Sequence, residues 1–281
     1  MPLLDYLLVA LVTGAPIILA ALGEAIVERS GRVNLGVEGI MAFSASASVL
    51  VASTTGSPIA GLLGGMLAGL LISTVYLIPV IVLKMDQIVV GLILSLAGLG
   101  LADLLASLGH VVGPSIPQGS LTHQALILAT ATLPLAVWVA LYKTLLGVEL
   151  RAIGFDEVAA RERGLRVDLI RGAAVLLEGA LVGLAGAYMA LVLYGGKYFS
   201  GITGGWGWLA IGSVILGYWH PLGVAIAAYT IGLLLTLRPL LASLGLGILA
   251  TISPYIAVII ALALISIIST KKPHIRPPKV M

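Results

Sequence analysis

The stretch ELRAIGFDEVAARERGLRVDLIR, residues 149–171, is a charged island in an otherwise apolar chain. It contains five arginines and five acidic residues, namely Arg151, Arg161, Arg163, Arg166 and Arg171, and Glu149, Asp156, Glu157, Glu162 and Asp168. Because long apolar segments flank it on both sides, the island must lie outside the hydrocarbon of a membrane. A site for anionic lipid would be basic, whereas balanced charges suit docking to a protein surface of mixed charge. The island is therefore predicted to be a protein-docking element.

A short helix is predicted inside the island. Asp156 suits the N-cap position, since its carboxylate can accept hydrogen bonds from the free amides of the next turn. Glu157 follows at the positive end of the helix dipole, and Gly164 can adopt the left-handed conformation that stops a helix. The helix would cover about two turns, Glu157 to Arg163, which is too short to be stable alone in water. It needs flanking helices and a partner groove.

The composition of the whole chain defines its class. Of the 281 residues, 60% are hydrophobic and 10% are charged, against about 25% charged residues in a soluble domain. The mean hydropathy of +1.16 indicates a protein that crosses a membrane many times. There is no cysteine, which excludes disulfides and thiolate metal sites. Residues 1–22 lack the basic segment of a signal peptide and are expected to remain as a helix.

Nine apolar runs predict an all-α integral membrane protein with about nine transmembrane helices, in a range of about 8–10. The runs are Leu3–Leu22, Leu35–Val51, Ile59–Leu83, Ile88–Leu108, Ala125–Tyr142, Leu169–Tyr194, Trp206–Tyr218, Pro221–Leu237 and Ile252–Ile268. The seventh run is short and follows glycine-rich sequence, which suits a half-helix as well as a span. Glycines recur within the runs, and their small size favours close packing of helices.

The distribution of basic residues predicts the orientation of the helices. If nine helices cross and the N-terminus is outside, 13 of the 15 Lys and Arg residues face the cytoplasm. Only Lys197 and Arg238 then lie outside, in agreement with the positive-inside rule. The C-terminus and the loop 143–171 are thereby predicted to be cytoplasmic. Residues 1–270 are expected to form one membrane domain, and the basic residues 271–281 a cytoplasmic tail near anionic lipid.

Two further motifs stand out. GEAIVERSGRVNLGVEGIM, residues 23–41, joins the first two runs, and GITGGWGWLAIGSVILGYWHPL, residues 201–222, contains the seventh. In both motifs glycines interrupt the segment that leads into a helix, and the two segments lie on opposite sides of the membrane in the predicted topology. That is the pattern of an inverted repeat with discontinuous helices near a substrate site. The sequence has no GxxxxGK[ST] phosphate loop, so the chain is not itself a P-loop ATPase.

Together with DEVAARERGLRV, residues 156–167, these motifs resemble the permease subunits of ATP-binding-cassette importers. The branch that they resemble contains permeases for branched-chain amino acids, simple sugars and nucleosides, and the segments GExxxERSG and VNLGVEG are most similar to the nucleoside permeases. The resemblance implies import of a small polar solute, most closely a nucleoside, across the cytoplasmic membrane of a prokaryote. A simple sugar or a branched-chain amino acid is the alternative substrate.

The resemblance also implies partners. ATP and Mg²⁺ would be bound by a separate ATPase subunit, so this chain would carry no cofactor and catalyse no reaction. A second permease chain, identical or different, would complete a dimeric pore. An extracytoplasmic solute-binding lipoprotein would deliver the solute, membrane lipid would surround the helices, and no nucleic acid would be bound.

The loop 143–171 matches the part of the family that contains its coupling helix. By that resemblance five residues would sit in a cleft of the ATPase subunit and transmit its closure to the membrane helices: Asp156, Glu157, Ala160, Arg161 and Gly164. The alternative is a solvated loop helix whose cap matches its dipole.

Polar residues within the apolar runs are candidates for the substrate path. An ionised carboxylate in hydrocarbon costs at least about 2 kcal/mol unless it faces an interior or a water-filled path. Glu178 is expected between helices, in the path or bonded to a Ser or Thr of another helix. Asp103 lies nearer the outer surface, where it would meet a substrate hydroxyl or stay hydrated. Asn34 and Glu38 are four residues apart and thus on one helix face, where they would cap a broken helix or line the path.

Aromatic residues in and before the second motif are the remaining candidates. Aromatic rings at the ends of spans commonly mark the headgroup region. Tyr198, Phe199 and Trp206 also suit a second role, because a purine or pyrimidine would stack on them in a cavity that opens outward.

Two other classes of protein fit parts of the sequence. An ion-coupled secondary transporter would use Asp103 and Glu178 as titrating sites, but it would leave the charged island without a role. A membrane scaffold would bind a soluble partner through the island and move no solute. Uptake that requires ATP rather than an ion gradient separates the importer from both.

Overall fold

The computed structural model describes residues 3–271, and within that range it contains twelve α-helices and no β-strand. The helices are α1 (Leu3–Arg29), α2 (Val37–Thr55), α3 (Pro58–Leu77), α4 (Gln87–Ala106), α5 (Leu121–Lys143), α6 (Leu145–Phe155), α7 (Glu157–Glu162), α8 (Val167–Tyr188), α9 (Trp206–Leu216), α10 (Pro221–Thr236), α11 (Arg238–Ser243) and α12 (Gly247–Lys271). α3 and α8 each continue into a π-helical turn, Ile78–Val82 and Met189–Leu193. Of the predicted tail 271–281, all but Lys271 lies outside the described residues.

Seven helical segments are long and apolar enough to cross a membrane. They are Leu8–Arg29, Val37–Thr55, Pro58–Val82, Gln87–Ala106, Leu121–Lys143, Val167–Leu193 and Pro221–Ser243. Trp206–Leu216 and Thr251–Ala261 are apolar but shorter. Each predicted run falls on one of these segments, so the all-helical prediction is confirmed for the described residues. Nine complete crossings and their orientation stay predictions.

Close glycine contacts hold the helix bundle together. A Cβ atom placed on Gly69 of α3 would lie 2.2 Å from the Gly179 carbonyl oxygen of α8. A Cβ atom on Gly232 of α10 would lie 2.7 Å from the Gly14 Cα atom of α1. In both pairs the backbones therefore approach directly, as the glycine pattern predicts.

The contacts between helices have the pattern expected of an inverted repeat in which α1 corresponds to α8 and α3 to α10. α8 packs against α3 as α1 packs against α10, and α1 also packs against α8. α1 and α8 are antiparallel, since Ser30 near the end of α1 contacts Arg171 near the start of α8, while Gly23 lies against Glu178 further along. α2 follows α1 and α9 follows α8, each after a non-helical segment, residues 30–36 and 194–205. Substrate sites of transporters with this symmetry lie where such helices meet.

Helix α9 is too short to cross a membrane by itself. Its 11 residues extend about 16 Å at the rise of an α-helix, against about 30 Å for the hydrocarbon of a bilayer. The non-helical residues 194–205 precede it, and among them Lys197 forms an isolated bridge with Val112 in the segment between α4 and α5. The chain leaves α9 beside Arg29, at the opposite end of the bundle. Of the two alternatives for the seventh predicted run, the length of α9 fits the half-helix.

Candidate functional site

The predicted docking helix is present as α7. The Asp156 side chain accepts a hydrogen bond from the Ala159 amide at 3.0 Å. Gly164 follows the helix with φ +82°, in the left-handed region. The predicted cap and stop are thus confirmed. The helix ends one residue before the predicted Arg163, because the backbone at Arg163 has turned to ψ 4° as the C-cap.

α7 has one face toward the chain and one face away from it. Ala160 is 4% exposed and packs with Ile153 and Val167 in a small apolar cluster. Phe155 and Val158 are 80% and 67% exposed. Phe155 ends α6 and Val158 is on α7, so two large apolar side chains are exposed within the charged island. Among the predicted coupling residues, Ala160 therefore belongs to the base of α7.

Glu157 anchors α7 to the membrane helices. Its carboxylate accepts hydrogen bonds from Arg171 Nη1 at 2.5 Å and from Arg161 Nη2 at 2.9 Å, and Arg32 lies at 3.7 Å. Arg171 is buried and also donates to the Ser30 carbonyl at 2.9 Å. Partial burial alone would raise the pKa of Glu157, but the hydrogen bonds from Arg171 and Arg161 outweigh it and lower that pKa below its ordinary value. Glu157 is therefore a carboxylate at neutral pH, and it links α7 to the start of α8 and the end of α1.

Asn34 and Glu178 meet in the interior of the bundle, where both are 0% exposed. Asn34 Nδ2 donates to both carboxylate oxygens of Glu178 at 3.1 Å. The backbone amide of Asn34 donates to Glu24 Oε1 at 2.9 Å, and Asn34 Oδ1 accepts from the backbone amide of Gly36 at 2.9 Å. Glu178 does accept a bond from another segment, as expected, but the donor is an asparagine. Asn34 lies in the turn before α2, so its predicted position on one helix face with Glu38 is wrong.

Glu38 closes the start of α9. It is 5% exposed, and its carboxylate accepts hydrogen bonds from Thr203 Oγ1 at 2.6 Å, the Gly205 amide at 2.8 Å and the Gly207 amide at 2.7 Å. Amides at a helix start have no partner within the helix, and the helix dipole favours negative charge there. Of the two predicted roles of Glu38, the geometry shows the cap of a broken helix. Trp206, between the two glycines, is 7% exposed and packs in the core.

Asp103 and Tyr198 meet at the end of the bundle opposite α7. Tyr198 Oη donates to Asp103 Oδ1 and Ser200 Oγ donates to Asp103 Oδ2, each at 2.8 Å. Phe199 is 47% exposed, and its ring stands edge-on to that of Tyr194 with centroids 5.0 Å apart. Asp103 therefore holds the irregular segment before α9. Phe199 is open to the surroundings, whereas the Tyr198 side chain is buried.

The structure distributes the predicted residues over four places instead of one site. Within the described residues, no group of three or more His, Cys, Asp or Glu could hold a metal. Sequence reasoning missed Glu24, Glu28 and Arg29, which are on α1 and contact Asn34, Trp219 and the turn after α9. A signal for them existed, because acidic residues four apart on an apolar helix share a face that must avoid lipid.

Comparison with known proteins identifies the family to which this chain belongs. Residues 6–269 match the family model described as the permease component of branched-chain amino acid transport systems. The nucleoside ABC transporter permease NupC of Lactococcus lactis is 32% identical over 254 residues, 81% of this chain and 80% of that protein. The proposed glucose ABC transporter permease TsgC13 of Haloferax volcanii is 34% identical over 237 residues, 78% and 72% of the two chains.

A solved structure has the same fold. It is an inward-facing ABC transporter assigned to the metal-chelate type, with a TM-score of 0.53, 20% identity, and coverage of 92% of this chain and 85% of that chain. The apolar helices and the anchored α7 of this chain fit a permease, which is also what its relatives are. The chain belongs to the family of permease components of branched-chain amino acid transport systems, as a non-catalytic, multi-pass subunit of an ABC transporter in the cytoplasmic membrane.

Proposed function

We propose that this chain forms half of the pore of an ATP-driven importer for nucleosides. The observation that supports it most is α7, a capped helix that Glu157 anchors to the membrane helices, with Val158 exposed on it and Phe155 exposed at the end of α6. An element built in this way transmits movement once a partner binds its outer face. The partner is an ATPase subunit, which binds ATP and Mg²⁺ and hydrolyses the nucleotide.

The docking surface consists of α7 and the groove beside it. The groove has a volume of about 470 Å³ and lies between α7 and the turn after α1, with Gly31 and Arg161 among its lining residues. Asp156, Arg161 and Gly164 contact the ATPase together with the two exposed apolar side chains. Glu157 and Ala160 hold α7 on the side that faces the membrane helices and transfer its displacement to α8 and α1.

The working assembly has two permease chains. ATP binding draws two ATPase subunits together, each pulls on one α7, and the pore between the permeases switches between outward and inward access. The second permease is a copy of this chain or a different one. A solute-binding lipoprotein delivers the nucleoside at the end of the bundle opposite α7, which is the outer side in the predicted topology.

The predicted path residues take different parts in this proposal. Phe199 is exposed at the outer end, where a nucleobase can stack on its ring. Asp103 and Tyr198 hold the segment that presents Phe199. Four buried residues lie behind the wall of the path and determine its shape. They are Asn34, Glu38, Glu178 and Trp206, each at most 7% exposed.

A neutral substrate agrees with the bonding of the buried carboxylates. Glu38 and Glu178 are both occupied by donors of the chain itself, so neither is available to an ammonium group of an amino acid. NupC and the guanosine ABC transporter permease NupQ of Bacillus subtilis, each 32% identical, support a nucleoside. A neutral sugar is the second candidate, supported by TsgC13 and by the galactofuranose transporter permease YtfT of Escherichia coli.

Substrate choice can be tested in proteoliposomes that contain the complex purified from native membranes with its binding protein. We expect ATP-dependent uptake of radiolabelled guanosine or adenosine, with glucose and leucine failing to compete. Uptake of glucose alone would replace the nucleoside by a sugar. Uptake that continues without ATP and collapses with an uncoupler would contradict the importer.

Coupling through α7 can be tested at Gly164. Gly164→Arg places a long cation at a left-handed position in the docking surface, so ATP-driven uptake should be abolished while membrane insertion is kept. Gly164→Asn is the matched control, because asparagine tolerates the left-handed region and its short side chain meets open space there. Normal uptake by correctly inserted Gly164→Arg would contradict the docking assignment.

A further inference from the structure

The turn between α9 and α10 has an unusual backbone. Tyr218 and Trp219 have φ angles of 52° and 56°, although neither is glycine. Two consecutive left-handed residues with side chains are unfavourable and persist only where their surroundings impose them. Trp219 is 8% exposed. The neighbours that impose this conformation can therefore be identified from its contacts.

Two consecutive residues of α1 hold the turn. Arg29 Nε donates to the Trp219 carbonyl at 3.0 Å, and Arg29 Nη2 reaches the Tyr218 carbonyl at 3.4 Å. The carboxylate of Glu28, which is 2% exposed, accepts a hydrogen bond from Trp219 Nε1. One planar guanidinium thus fixes both left-handed residues through their carbonyls.

The same guanidinium also contacts the support of α7. Arg29 Nη2 donates to Tyr142 Oη at 2.9 Å. The guanidinium of Arg151 lies over the Tyr142 ring, 4.6 Å from its centroid, and the centroids of the Tyr142 and His220 rings are 5.4 Å apart. Arg151 is on α6, which is separated from α7 by Asp156 alone. A displacement of α7 therefore reaches Arg29 through one aromatic ring.

A second route from α7 ends at the neighbouring residue. Glu157 accepts a bond from Arg171, and Arg171 donates to the Ser30 carbonyl. Ser30 follows Arg29 directly. Both routes from the docking helix therefore converge on the end of α1, where the strained turn is held.

We propose that Arg29 is a positioning residue for transport, which transmits displacement of α7 to the half-helix α9. When Arg151 moves with α6, it displaces the Tyr142 ring at the end of α5. The Arg29 guanidinium then releases the carbonyls of the turn, and the turn leaves its strained conformation. Because Glu38 fixes the other end of α9, the helix pivots about its start. This inference rests on the proposed function, since it needs a partner that moves α7.

The test uses the reconstituted complex and measures nucleoside uptake per ATP hydrolysed. Tyr142→Phe keeps the ring that contacts Arg151 and His220 but removes the hydroxyl that accepts from Arg29. Tyr188→Phe is the matched control, because the buried Tyr188 hydroxyl has no hydrogen-bond partner. Arg29→Gln removes the charge, and Arg29→Lys restores it without the planar fork.

We expect Tyr142→Phe and Arg29→Gln to lower uptake per ATP by about fivefold or more, the lower end of typical coupling effects, with assembly and ATP hydrolysis kept. Arg29→Lys should restore part of the ratio, and Tyr188→Phe should match wild type. An unchanged ratio in Tyr142→Phe and Arg29→Gln would overturn the inference. A proportional loss of uptake, hydrolysis and assembled complex would show a structural role only and would also overturn it.

A second measurement follows the turn itself. The natural chain has no cysteine, so Tyr218→Cys gives this chain a unique thiol whose labelling by a water-soluble reagent can be measured by mass. ATP should change the labelling rate when Tyr142 is intact and should leave it unchanged in the Tyr142→Phe background. An ATP response in both backgrounds, or in neither, would refute the route. If wild type shows no ATP-driven uptake at all, the proposed function fails, and this outcome is distinct from failure of the route.

Discussion

Glu178→Gln and Glu24→Gln each replace a carboxyl group of the same buried cluster by an amide, yet the structure predicts unequal effects. Asn34 Nδ2 donates to both oxygens of Glu178, so a glutamine there must place its own amide donor against the Asn34 donor. Rotating the Asn34 amide would not relieve this conflict, because Asn34 Oδ1 is already occupied by the Gly36 amide. Glu24 differs, since only its Oε1 accepts from Asn34. Its Oε2 is buried with no hydrogen-bond partner.

The magnitudes follow from these contacts. Glu178→Gln loses one hydrogen bond, worth about 0.5–1.5 kcal/mol, and leaves a buried donor unsatisfied at a cost of about 1–3 kcal/mol. Allowing for relaxation, we expect a loss of about 2–4 kcal/mol in the free energy of unfolding. Glu24→Gln keeps its acceptor and places the new amide where Oε2 has no partner, so the loss should be under about 1 kcal/mol.

Thermal unfolding of the detergent-solubilised chain, followed by size-exclusion chromatography after heating, measures the difference. At about 2–4 °C per kcal/mol for a chain of this size, Glu178→Gln should lower Tm by about 4 °C or more and Glu24→Gln by less than about 4 °C. Glu162→Gln, at an exposed position of α7, serves as the control for replacement of a carboxyl group by an amide. Equal losses at the two buried positions, or a larger loss at Glu24, would refute the assignment of donors and acceptors around Asn34.

Three further predictions concern other parts of the chain. Gly69→Ala should cost about 1–3 kcal/mol through overpacking against α8, whereas Gly100→Ala, which meets open space on α4, should be neutral or stabilising by up to about 1 kcal/mol; thermal unfolding of both variants checks this. The pKa of Glu157 is lowered in the folded chain, so its carboxylate contributes fully to the free energy of unfolding above the ordinary pKa of 4.5. This contribution is lost as pH falls through the folded-state pKa. Acidification below pH 4.5 should therefore destabilise wild type more than Glu157→Gln. Asp103→Ala removes the acceptor of two hydroxyl groups, and limited proteolysis at the end of the bundle opposite α7 should then cut the segment 194–205 faster than in wild type.

Local features of the fold could be predicted from the sequence because their causes are local. The cap at Asp156 and the stop at Gly164 depend on the residue types and on the backbone of one helical turn. Close helix packing was predictable from glycine spacing, and the observed contact of Gly69 with α8 agrees with it. The half-helix α9 was one of two alternatives, because a short apolar run after glycines fits both.

The partners of the buried polar residues could not be predicted, because they are set by contacts between distant segments. Asn34 bonds to Glu178, 144 residues later, and Glu38 bonds to Gly207, 169 residues later. A spacing of four suggested one helix face for Asn34 and Glu38, but α2 begins at Val37 with Gly36 as its N-cap, so Asn34 lies before the helix. The contacts of Arg29 with the turn after α9 were missed for the same reason.

The buried carboxylates have a common physical origin in the breaks of the helices. Within a bilayer every backbone donor needs a partner in the protein, and a discontinuous helix leaves its first amides without one. Glu38 supplies that partner at the start of α9, while Asn34, held by Glu178 and Glu24, fixes the turn that leads into α2. At both breaks an acidic side chain therefore has a structural role, whether or not an ion is bound. A carboxylate in such a bundle identifies an ion-coupled transporter only when donors of the chain itself do not already occupy it, and here backbone amides donate to Glu38 and the Asn34 side chain donates to Glu178.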